Sequence, residues 1–145
     1  MNQTWGIILI IFTLLMGWLM QVIVTVSPAF ASKFGLIEPK SGVDPTFYID
    51  AQGEAIWDAL SLWVLPVAGI LLLIESPYWA YFGLVGGGMY VYFAGRGIVV
   101  RRMMAQRGIS IGKPDTLKMF YAFLVLWGLI GLVTIYLAVV DLPVP

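Results

Sequence analysis

The sequence predicts an all-α integral membrane protein, a single bundle of four transmembrane helices with a tight hairpin between spans two and three. Three observations predict it. The 145 residues are 61% hydrophobic and only 11% charged, whereas a soluble domain carries about 45–50% apolar and about 25% charged residues. Four apolar stretches approach the roughly 20 residues that cross about 30 Å of hydrocarbon. All eight Lys and Arg residues fall at the end of the bundle that holds the two long loops. No repeat, low-complexity tract or second domain is visible, so residues 1–145 read as one unit.

Span one is expected at about 5–26, from Trp5 to Val26, and holds no charge. Ser27-Pro28 ends it, because proline lacks an N–H and disfavours helix in the residue before it. Ala29-Phe30-Ala31 resembles a signal-peptidase site, but no Lys or Arg precedes Lys33 and the apolar run is a full span. A signal peptide has a basic start and an apolar core of about 7–15 residues, so a retained span is expected. A polar loop follows at about 27–55. Within it, Asp44-Pro45 signals a short interfacial helix leading into span two at about 56–74, which Pro66 interrupts. Glu75-Ser76-Pro77 is a corner in which Ser76 suits a cap and Pro77 the first helical position. Span three, at about 78–96, loses its apolar character at Arg96. The second loop covers about 97–118. There Pro114-Asp115-Thr116 reads as a helix start capped by Asp115 or Thr116. Span four, at about 119–140, stops at Asp141 and Pro143.

With four spans both long loops share one side. Lys33, Lys40, Arg96, Arg101, Arg102, Arg107, Lys113 and Lys118 all lie there. Basic residues are retained in cytoplasmic loops, so both termini are expected outside and both loops inside, in the plasma (inner) membrane. The loop side also carries Glu38, Asp44, Asp50, Glu54, Asp58 and Asp115, leaving it two positive charges in excess; Glu75 and Asp141 balance them outside. Asp50, Glu54 and Asp58 are four apart and share one helical face. Mutual neutralisation of an acidic and a basic loop is the favoured reading. A docking surface for a partner or for anionic lipid headgroups, through Arg101, Arg102 and Arg107, is the alternative.

Counted from the corner, Asp58 and Arg96 reach similar depths, and an interfacial ion pair between them is one expectation. A snorkelling Arg96 without a partner is the other. Thr13, Gly17, Gln21 and Thr25 recur every fourth residue on span one, and small or polar residues at that spacing let helices approach and hydrogen-bond. Gly83 and Gly87 make a similar pair on span three. Both sets read as helix-packing faces first and partner faces second. Pro66 reads as a bend that shapes the bundle.

No cysteine or histidine is present, which removes disulfides, thiolate and Fe–S sites, histidine-ligated haem and the commonest general base. No cofactor is therefore expected. Trp18, Trp63 and Trp127 offer stacking surfaces for a quinone, carotenoid or lipid, with ordinary packing the favoured use. No Ser/His/Asp or Cys/His set exists, so an enzyme is not expected. The expected function is a structural, assembly or accessory subunit of a membrane complex, the alternative a small oligomeric transporter or channel. Partners are the bilayer and another membrane protein or a second copy, with no nucleic acid.

Overall fold

Span one is built from three pieces in the computed structural model, which describes residues 2–142. They are α1 (Asn2–Leu9), a π-helical segment (Ile10–Trp18) and α2 (Leu19–Val26). The Leu19 N–H donates to the Leu14 carbonyl, five residues back, the register of a π-helix. Donors from other spans reach the carbonyls of this segment. Trp127 Nε1 donates to the Phe12 carbonyl at 3.3 Å and the Tyr90 hydroxyl donates to the Thr13 carbonyl at 3.1 Å. Inserted side-chain donors are a known cause of local departure from the α ladder.

The chain breaks at Ser27, where φ is −144°, and Pro28 opens α3 (Pro28–Lys33). That helix ends in a Schellman motif: the Gly35 N–H donates to Ser32 and the Leu36 N–H to Ala31, with Gly35 at φ 70°. Asp44 then caps α4 (Pro45–Ser61), its carboxylate accepting the Thr46 N–H at 2.8 Å. The helix of span two therefore starts at Pro45, inside the stretch expected as loop. A break at 62–63 separates α4 from α5 (Val64–Leu73). Pro66 accounts for it, since its missing N–H and its ring both oppose the Leu62 carbonyl. Near this break the Ala59 carbonyl accepts Trp18 Nε1 at 2.7 Å and the Leu60 carbonyl accepts Trp63 Nε1 at 2.9 Å.

After the corner comes α6 (Trp79–Gln106), then α7 (Pro114–Val140). The fold is all-α, with four helices long and apolar enough to span a membrane: Gln3–Val26, Pro45–Leu73, Trp79–Gln106 and Pro114–Val140. Two local expectations change. Ser76 accepts the Tyr78 N–H at 3.4 Å but is not the helix cap, and Pro77 lies before the first helical residue. Lys113 stands at the cap of α7 without a side-chain bond, and Pro114 takes the first position ahead of Asp115 and Thr116. Asp141 does end α7, while Pro143 lies outside the described residues.

Lipid offers no hydrophobic drive for helices to associate, so close packing carries the bundle. Glycines supply it. A Cβ on Gly87 would meet the Gly131 carbonyl at 2.9 Å, and one on Gly131 the Gly87 carbonyl at 2.7 Å. Gly86 lies against the Leu65 backbone, and Gly6 crosses Gly69. Between these crossings sits the main core, with Leu9, Leu62, Leu65, Tyr90, Phe93 and Trp127 among its buried members.

Candidate functional site

At the basic end, α4 turns its acidic row toward α6. Arg96 Nη2 donates to Asp50 Oδ1 at 2.6 Å and Arg96 Nη1 lies 3.4 Å from Glu54 Oε1. Arg101 Nη2 donates to Glu54 Oε2 at 3.3 Å, and its Nη1 to the Gly97 carbonyl one turn back. Phe47 lies 5.8 Å from the same guanidinium, within the range of a cation–π contact. The Glu54 side chain is only 7% exposed, and Glu54 bridges both arginines. The geometry is that of a short ladder of alternating charge between two helices.

The expected Asp58–Arg96 ion pair is not the one that forms. Asp58 is buried and Arg96 pairs with Asp50 and Glu54. The reason is reach: a long arginine side chain extends toward the interface, and Asp50 and Glu54 lie two turns and one turn nearer the start of α4 than Asp58. Asp58 Oδ2 has no hydrogen-bond partner among the described residues. Arg101 also departs from expectation. It is turned inward onto Glu54, leaving Arg102 and Arg107 as the exposed arginines of the three.

The stripe of span one divides. Thr13 and Gly17 are buried against Tyr90, whose hydroxyl would lie 2.8 Å from a Cβ on Gly17. Gln21 and Thr25 are half-buried, and Thr25 Oγ1 has no hydrogen-bond partner among the described residues. On span three Gly83 and Gly87 both face span four, against Ala138 and Ile135. The stripe and the glycine pair thus pack inside the chain wherever they are buried.

Below the charged ladder, α2 leans on α4 while α7 stays with α6. A cavity of about 180 Å³ opens between them. Met16, Met20 and Phe123 are among its apolar walls, and Gln21, Glu38, Glu54 and Arg101 are its polar members. Glu38 is itself buried, 8% exposed, and accepts the Lys113 N–H at 3.3 Å. The two loops meet again where the Asp44 N–H donates to the Ser110 carbonyl at 2.8 Å. A site with one charged wall and an apolar body suits a ligand or helix with one polar end.

Sequence reasoning missed Tyr90 and the bridging role of Glu54. The four-residue spacing of the acids marked a face, and a tyrosine amid small residues on span three was the available signal for Tyr90. Comparison with protein-family models, curated proteins and solved structures finds no match to this chain.

Proposed function

We propose that the protein is a non-catalytic subunit of a larger membrane complex, held in the plasma (inner) membrane with its basic end in the cytoplasm and both termini outside. The observation that carries this reading is a seam on the outer face of span three. Tyr81, Val85, Gly88, Tyr92, Gly95 and Val99 alternate at spacings of four and three and are all exposed. That is the pattern by which helices pack side by side. Gly88 and Gly95 have open space where a Cβ would lie. No packing among the described residues asks for glycine there, yet each costs its helix about 0.8–1.0 kcal/mol relative to alanine. Close approach of a partner helix accounts for both positions. The exposed Arg102 at the cytoplasmic end of the seam, with Arg107 beyond it, suits contact with acidic groups of that partner or with anionic headgroups.

Purification from native membranes in mild detergent tests the proposal. The expected result is a stoichiometric companion, a different chain or a second copy. Gly88→Leu with Gly95→Leu is expected to abolish it without lowering the midpoint of thermal unfolding of the chain. A lone monomer from the unaltered chain under these conditions refutes the reading. A second reading, a small oligomeric transporter, is favoured only by the cavity with its charged wall; solute flux into proteoliposomes separates it from the first.

A further inference from the structure

We propose that the cavity between spans one and four is a binding site for an uncharged amphiphile whose head is a single oxygen function, an alcohol or a quinone-type carbonyl. Its polar pole holds unused hydrogen-bonding capacity. Arg101 Nε is a buried donor without a hydrogen-bond partner among the described residues. Glu54 Oε1 is a buried acceptor that has an ion-pair contact to Arg96 Nη1 at 3.4 Å but no hydrogen bond among them, and Glu54 and Arg101 both line the cavity. Glu54 is more than nine-tenths buried, its side chain being 7% exposed. Such groups are ordinarily satisfied in a folded protein. A head oxygen at this pole accepts from Arg101, and a hydroxyl in addition donates to Glu54. Gln21, another lining residue, adds an amide to the polar members of the cavity.

Charge selects the head. The cavity lining holds two carboxylates, Glu38 and Glu54, against one guanidinium group, Arg101. An anionic head adds to an existing excess of negative charge, and a cationic head lies against Arg101. A neutral oxygen meets neither objection. The body of the cavity selects the rest of the ligand. Met16, Met20 and Met119 give it walls that reshape around an apolar group, while Phe123 stacks on Trp127 at 5.4 Å beside them. The volume of about 180 Å³ slightly exceeds the roughly 150 Å³ of an engineered cavity that holds benzene. It therefore takes a ring or the first carbons of a chain and leaves the remainder in the bilayer. Gly35 and Met119 are the exposed residues of the lining.

The full-length chain in lipid nanodiscs is titrated with a terminally brominated undecanol, which quenches nearby tryptophan. Trp127 in the lining reports occupancy. The expected result is saturable quenching reversed by unbrominated undecanol, with the brominated carboxylate of equal length binding about tenfold more weakly at alkaline pH. Filling the cavity by Ala51→Phe or by Met20→Phe is expected to remove the saturable phase while circular dichroism and thermal unfolding stay native. Displacement by decylbenzoquinone at lower concentration than by undecanol assigns a quinone source; the reverse order assigns a lipid alcohol. Quenching that rises linearly with probe and is the same in folded, filled variants overturns the proposal. Carboxylate binding as tight as alcohol binding overturns the neutral-head assignment.

Discussion

The Tyr90 hydroxyl is a polar group in the most buried part of the bundle, and two residues of span one make room for it. Thr13 offers its carbonyl at 3.1 Å, and Gly17 leaves out the Cβ that would press on the oxygen at 2.8 Å. Tyr90→Phe is expected to cost about 1 kcal/mol, the net worth of one hydrogen bond. Gly17→Ala alone is expected to cost about 1–3 kcal/mol through overpacking. Without the oxygen, the next contacts of that Cβ are ordinary ones at 3.4 and 3.5 Å. The double variant should therefore lose at least about 0.5 kcal/mol less than the sum of the singles. Unfolding in mixed micelles measures all three, and strict additivity would place the obstacle elsewhere. The ion ladder sets a harsher cost. Arg101→Met leaves Glu54 buried with its Arg101 bond gone, for which about 3 kcal/mol is expected. Asp50→Asn, on a side chain 25% exposed, is expected to cost about 1 kcal/mol in the same assay.

Three helices of this chain end in the same way, and comparing them isolates one strained residue. Gly35 and Gly108 take the left-handed position of Schellman motifs at φ 70° and 75°. Glu75 takes it at φ 56°, with its N–H donating to Leu72 and the Ser76 N–H to Leu71. A side chain in that region costs roughly 1–2 kcal/mol, and the compensation among the described residues is an exposed bond from Gln3 Nε2 at 3.1 Å. Glu75→Gly is thus expected to raise stability by about 0.5–1 kcal/mol, read as a higher midpoint of thermal unfolding; a fall would mean that the Gln3 contact outweighs the strain. The corner itself was legible in Glu75-Ser76-Pro77, as were the four spans, because hydropathy sums over some twenty residues and survives local error. The π-helical segment was not legible. Its cause is a pair of donors, Tyr90 and Trp127, that are 77 and 115 residues away from the carbonyls they bind. The partner of Arg96 was missed for a related reason: counting turns places a Cα, while the ion pair is decided by where a long side chain ends.

Across the whole molecule, charge and glycine are sorted by direction. Inward glycines close spans three and four on each other, and the outward pair Gly88 and Gly95 meets open space among the described residues. Every base lies at one end of the bundle, while Glu75 and Asp141 lie at the other. Much of that basic end is neutralised internally, since Arg96 and Arg101 are held by Asp50 and Glu54. Folded pairing does not weaken the topological signal, because orientation is set by basic residues near the span ends and acids contribute little to it. Absence of cysteine makes the orientation simple to read: any single introduced thiol is unique. Thr4, Ser41 and Ser110 are exposed, the first at the terminal end and the others in the two long loops. In intact cells a membrane-impermeant maleimide is expected to label Thr4→Cys and to leave Ser41→Cys and Ser110→Cys unlabelled until the membrane is opened. The opposite pattern would put all eight bases outside, against the retention of Lys and Arg in the cytoplasm. It would also take Arg102 and Arg107 away from the anionic leaflet, so that the contact proposed at the end of the outer seam would need a different partner chemistry.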